Sequence, residues 1–263
     1  MLRKLLHSIK FFFSIFDVYI IVLTKRKKKL INILFKKIKI IDSGYELIRL
    51  GDKKDGGYII PNILDQIDYC FSPGVGKSTS FEDEIKKYKI KSFLADKSLN
   101  YDGNHNFIKK NLNTYNDNYN ITLENWVNSK VKKNNKNLLL QMDIEGSEIK
   151  VLYNSSETLL KRFKCIIIEF HNFSDLITNI GINIYEELFE KLLKNHYIVH
   201  IHPNNIEKPL LISGDYIPNY MEFTFINKDI IKYKKKINYK LPHYLDCRNI
   251  KNMPEVKCPK IFY

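Results

Sequence analysis

The residues that could do chemistry sit just after apolar runs. Asp143-Ile144-Glu145-Gly146-Ser147-Glu148 puts three acids within six residues, directly after LLLQM at 138–142. Carboxylates at the end of a buried strand are costly unless solvated or used. Asp143 falls at the strand tip and points into a crevice. Gly146 permits a tight turn, and Glu148 reads as a first-turn helix acid. Glu169-Phe170-His171 closes the next run, CIIIEF at 165–170. The strand period of two puts Glu169 and His171 on one face. A buried Glu with a His beside a crevice suits general-base work, because burial and neighbours move both toward neutrality. The plainer alternative for His171 is a hydrogen-bonded histidine that closes the strand. His200 and His202 repeat the alternation and, with nearby acids, could ligate a metal. No third ligand is assured, and no resident metal is expected.

Two more turns bear on a ligand. Ser72-Pro73-Gly74-Val75-Gly76-Lys77-Ser78-Thr79 follows a short apolar run. Its two glycines let the backbone approach a ligand, and the next helix offers free N–H groups. GVGKST has the look of a phosphate loop, but the full pattern needs a glycine where this chain has Phe71. Asp96, 20 residues beyond Gly76, ends the following run. An acid there can accept hydrogen bonds from both hydroxyls of a ribose.

The elements that must position these turns alternate along the chain. Apolar runs at 68–71, 90–95, 138–142, 165–170, 197–201 and 221–227 are separated by helix-like stretches at 81–88 and 184–195. Such alternation argues for a mainly parallel sheet covered by helices on both faces. Ligands of such sheets bind beyond the carboxyl ends of the strands, where the turns above lie.

Charge and cysteines limit the class of function. The 263 residues carry a net charge of +14. The basicity belongs to the ends: residues 1–40 carry +10 and residues 228–263 carry +7, leaving −3 for residues 41–227. A mildly acidic centre is a poor start for a phosphate-binding groove, so nucleic acid is not an expected partner. Three parts follow: a basic amphipathic N-terminal segment (1–40), a central domain (41–227) and a basic tail (228–263) that reads as extended and solvated. Residues 2–23 have helical apolar spacing, interrupted by Ser14 and Asp17, and run into Lys25-Arg26-Lys27-Lys28-Lys29. That is too short and too charged for a spanning helix and has no cleavage site of a signal peptide. Two readings stand: a helix lying on an anionic membrane through residues 1–29, and a helix packed on the domain. Four scattered cysteines without a CxxC pair fit a reducing cytosol.

In this order the motifs match a known pattern. Asp55-Gly56-Gly57-Tyr58, Gly74-Val75-Gly76 with Ser80-Phe81-Glu82, Asp96, Leu140-Gln141-Met142-Asp143-Ile144-Glu145-Gly146-Ser147-Glu148 and Ile168-Glu169-Phe170-His171 together resemble the FkbM family of S-adenosylmethionine-dependent O-methyltransferases, over about residues 47–227. The stretch from Asp143 to Glu148 is the most specific piece. The resemblance implies an α/β, Rossmann-like class I methyltransferase fold, a seven-stranded mostly parallel sheet whose last strand, 221–227, is antiparallel. It implies S-adenosylmethionine as cofactor, with its methionine part at Gly74 and Gly76, its ribose at Asp96 and its sulfonium by Asp143. Asp55, Gly56 and Gly57 would cover it. Many methyltransferases have an acid where this chain has Ser72-Pro73, so Glu82 or Asp143 is expected to hold the cofactor's amino group. The expected chemistry has His171 or Asp143 accepting the proton of a hydroxyl acceptor, with Glu169 orienting. By analogy with the family, the acceptor is a sugar hydroxyl of a glycan or glycolipid precursor. Set against this are a P-loop NTPase and a non-catalytic methyltransferase-fold binding module. The expected place is the cytoplasm, with peripheral contact to the inner face of the membrane as the further reading.

Overall fold

The computed structural model of the chain describes Ile9 and residues 24–76, 78–212 and 215–258. The stretch 2–23 expected to be helical therefore lies, Ile9 apart, outside the described residues. A seven-stranded sheet is built from β1 (Tyr69–Pro73), β2 (Lys91–Ala95), β3 (Asn106–Ile108), β4 (Leu138–Met142), β5 (Phe163–Phe170), β6 (His196–Pro203) and β7 (Met221–Asn227). Their spatial order is β6-β7-β5-β4-β1-β2-β3. β7 runs antiparallel to β5 and β6, while the other pairs are parallel. The chain leaves β1 toward one edge and β4 toward the other, so these two central strands flank the point where the winding reverses.

Period-two burial sorts the side chains into two layers. Phe71, Leu138, Leu140, Met142, Ile166, Ile168, Phe170, Phe223 and Phe225 enter the larger core. That core is covered by α1 (Lys25–Lys37), α3 (Leu123–Lys130), α4 (Glu148–Asn154), the short α5 (Glu157–Leu160) and α6 (Asn179–Asn195). Cys70, Leu139, Cys165, Ile167, Val199 and Ile226 face the other way. They meet α2 (Ser80–Lys86) and an antiparallel hairpin, Leu47–Gly51 with Gly57–Pro61. On this second face the apolar row turns polar near the crevice, with Ser72, Gln141, Glu169, Glu222 and His202 all buried.

The two basic ends are part of this body. Thr24 caps α1 through its hydroxyl, which accepts from Lys27 N–H at 3.2 Å. Ile31, Leu34, Phe35 and Ile38 of that helix enter the larger core. Lys37 ties it to α6 through Glu186 and Glu190, at 2.8 and 2.7 Å. Residues 25–37, expected as a basic run following the helical stretch, are themselves a packed helix; the two readings of residues 2–23 fall outside the described residues. The C-terminal stretch is not a solvated tail. Lys235–Lys236 pairs with Ile41–Asp42, and Ile237, Leu241 and Cys258 join the larger core. Its charge run hid single apolar anchors spaced too irregularly to show a period. Truncating Leu34, 1% exposed, to Ala should lower unfolding stability by about 2–5 kcal/mol. Denaturant titration checks this; a loss of only a few tenths would show that α1 merely rests on the surface.

Candidate active site

The site begins where β1 and β4 end side by side. Asp143 N–H donates to the Pro73 carbonyl at 3.3 Å, and Gly74 N–H donates to the Ala95 carbonyl of β2 at 2.9 Å. A Cβ on Gly74 would lie 1.4 Å from the Asp143 carbonyl oxygen, and Gly74 has φ +81°. Only glycine lets the two turns close on one another here. Gly76, with φ +59°, has nothing within 4 Å of where a Cβ would stand, so its backbone is bare toward open space. Beside these turns lies a cavity of about 370 Å³, lined by Gly74, Gly76, Asp96, Asp143, Glu145 and Lys150 among others. Asp96 has one carboxylate oxygen held by the Ser98 backbone and hydroxyl, both at 2.7 Å. The structure thus brings together Gly74, Gly76, Asp96 and Asp143. Asp55, Gly57, Glu82, Glu169 and His171 do not line this cavity.

His171 lies one residue beyond β5, and the structure puts acids of the β4 turn around it. Its Nε2 is 3.2 Å from Glu145 and 3.7 Å from Asp143; its Nδ1 is 3.2 Å from Glu148. The Nδ1 contact is close but not aligned as a hydrogen bond. Glu148 is fully buried and accepts from the backbone N–H of Ile144 and Gly146, at 3.0 and 3.1 Å. Burial opposes a charge on His171, but Glu148, Asp143 and Glu145 outweigh it and raise the imidazole to about 9. Burial pushes the Asp143 carboxyl up to about 7, against the pull of His171. Glu169 does not orient His171. The strand ends at Phe170, the chain turns, and Glu148 takes the place behind the ring that Glu169 was expected to fill. The sequence signal for Glu148 was present but fitted a helix-capping acid equally well.

Glu169 belongs instead to the polar row under the hairpin. Its Oε1 accepts from Asn204 Nδ2 at 2.8 Å, and it stands opposite Glu222 in the β5–β7 register. Burial, then the charges of Asp143 and Glu222, push its pKa well above the usual carboxylate range. Glu222 accepts from Asn249 of the C-terminal stretch at 3.1 Å, and Asn249 also reaches Asp55 at 3.5 Å. Asp55 is exposed at the hairpin turn, and Gly57 is a packing position where a Cβ would strike the Asp52 carbonyl. Asn204, Glu222 and Asn249 had no motif to announce them; alternation within β7 was the one usable sign, for Glu222.

Glu82 is buried and bonded to Ser72, whose hydroxyl also meets Gln141 Oε1. One hydroxyl proton serves one acceptor. The contacts close if Glu82 keeps a proton and donates to Ser72, Ser72 donates to Gln141, and Gln141 Nε2 donates to the Tyr58 hydroxyl at 3.0 Å. Burial raises the Glu82 pKa, consistent with that. Glu82, on α2, thus holds Ser72 and through it Gln141, and does not line the cavity. His200 and His202 are likewise engaged, His200 beside Asp246 at 3.0 Å and His202 beside Glu222 at 3.6 Å. Among the described residues the group whose atoms could meet on one ion is Asp143, Glu145 and His171.

The strand order, the single antiparallel strand and a glycine-and-acid cleft at the winding reversal define a Rossmann-like methyltransferase. The Methyltransferase FkbM domain matches residues 58–210, more than half of the chain, and the chain belongs to that family of S-adenosylmethionine-dependent methyltransferases. No curated protein matches it. Replacing Asp96 by Ala should weaken S-adenosylhomocysteine binding about 10–100-fold, the worth of hydrogen bonds to a charged acceptor. Calorimetry checks this, and an unchanged affinity would take Asp96 out of the cofactor site.

Proposed function

We propose that the protein transfers the methyl group of S-adenosylmethionine to a hydroxyl oxygen, with a sugar of a glycan or glycolipid precursor as acceptor. The observation that carries this is the Gly74–Asp96–Asp143 cavity, with the buried Glu169 near enough to Asp143 for that charge to raise its pKa. The fit to the cofactor rests on chain groups alone: a bare backbone at Gly76, and carboxylates at Asp96 and Asp143 on the cavity wall. Asp96 would hold the ribose and Asp143 would face the sulfonium, which supplies an electrophilic methyl. The acids near that point favour the cationic cofactor over its neutral product.

Displacement at the methyl needs an aligned nucleophile, exclusion of water and a place for the acceptor's proton. His171, raised to about 9, holds its own proton at neutral pH, so it orders the acids rather than accepting. Glu169 is the better acceptor. It is buried, fixed by Asn204, and its raised pKa brings its basicity toward that of an activated hydroxyl. Asn204, Glu222 and Asn249 offer the polar contacts that a polyol would use. The base form of Glu169 is the unprotonated one, so its population grows as pH rises.

Methyl transfer from labelled cofactor to sugar acceptors should therefore climb with pH from neutrality upward. Glu169→Gln should lose at least about 100-fold in kcat, the span of general-base catalysis, while S-adenosylhomocysteine still binds. Equal turnover in that variant would remove Glu169 from the base role; binding of ATP without S-adenosylhomocysteine would sink the methyl-transfer reading itself.

The basic run Lys25–Lys29 is mostly exposed at the start of α1, which supports peripheral contact of residues 1–29 with an anionic membrane on the cytoplasmic side. No described helix is long and apolar enough to cross a membrane. Deleting residues 1–29 should abolish cosedimentation with phosphatidylserine vesicles; undiminished binding would end the idea.

A further inference from the structure

Three ligand-type atoms meet beside the cofactor cavity. One ligand atom each of Asp143, Glu145 and His171 lie within 4.8 Å of one another. His171 Nε2 is 3.2 Å from Glu145 Oε2 and 3.7 Å from Asp143 Oδ1. Neighbouring ligands on a six-coordinate divalent ion stand about 3 Å apart, so a small shift of the exposed Glu145 side chain would close the set. An ion pair between Glu145 and His171 accounts for two of the three. It leaves Asp143 Oδ1 enclosed and without a hydrogen-bond partner, and an enclosed carboxylate oxygen with no donor is costly.

The ring is also supported from behind. His171 is 8% exposed, and Glu148 Oε1 stands 3.2 Å from its Nδ1. The Ile144 and Gly146 backbone N–H groups anchor that carboxylate. A carboxylate behind Nδ1 keeps a hydrogen there, so a cation that displaces the Nε2 proton finds that nitrogen's lone pair turned forward. Metal-ligating histidines are commonly held in this way.

We propose that Asp143, Glu145 and His171 bind a divalent cation. Two carboxylates and one imidazole combine hard and borderline donors, which suits Mn²⁺ best. Three protein ligands leave positions for water and for an acceptor hydroxyl. The proposal deepens the methyl-transfer reading, on which its catalytic meaning rests: the cation gives the hydroxyl a Lewis acid, and Glu169 remains the group that takes the proton.

The test is Mn²⁺ titration of the chelator-stripped full chain, followed by loss of the aqueous Mn²⁺ resonance. One site per chain is expected. Glu145→Gln, at a side chain 87% exposed, should weaken binding at least about tenfold. His171→Gln should do the same, and Glu190→Gln on α6 should leave it unchanged. Absence of binding, or equal affinity in wild type, E145Q and H171Q, overturns the proposal. Titration with S-adenosylhomocysteine in chelator separates the two readings. Product binding without Mn²⁺ binding removes the cation alone. Mn²⁺ binding without product binding removes the methyl-transfer reading alone.

Discussion

The close approach of Gly74 to the Asp143 carbonyl is the constraint on which the site depends. Two parallel strands end at the same height, and their outgoing turns must pass one another where the winding reverses. A side chain at residue 74 would collide with backbone, which cannot yield as a flexible side chain can. With glycine there, the β1 and β4 turns share one wall, and Asp143 projects beside the Gly76 backbone. The cavity and the acids around His171 are both arranged from that junction.

Around it the protein concentrates negative charge, most of it where water reaches poorly and only the Glu145 side chain well exposed. Asp143, Glu145 and Glu148 surround a single imidazole, and Glu169 and Glu222 face each other across β5 and β7. Burying like charges raises their affinity for protons or other cations. A centre of this kind attracts positive species and is held in its free state by protons and by donors such as Asn204. The mildly acidic middle of the chain is the compositional trace of this site, while the +14 of the whole sequence is carried by the two flanking segments.

Much of the architecture was legible because it follows two periodicities. The six apolar runs became six strands of the sheet, and the acidic turn after LLLQM fell at the crevice. β3 was missed because three residues, Asn106–Ile108, give no measurable alternation. The lining of the cavity was legible where a residue type is rare for its surroundings, as with Asp143 and Asp96. The site was obscure where partners come from distant segments. Glu148 looked like a helix acid, and nothing local marks Asn204 or Asn249. The assignment of Glu169 to His171 followed from extending the strand by one residue; a turn at Phe170 sends the two side chains to different neighbours.

Asn249 has a consequence for the order in which the protein becomes complete. It touches Glu222 on β7 and reaches Asp55 in the hairpin turn, nearly two hundred residues earlier. During synthesis the N-terminal parts of a chain emerge and fold first. The seven strands of the sheet, both glycine turns and the acids around His171 all precede Asn249 in the chain. The wall that Asn249 supplies is therefore added after every strand of the sheet has emerged, beside a crevice whose turns are already made.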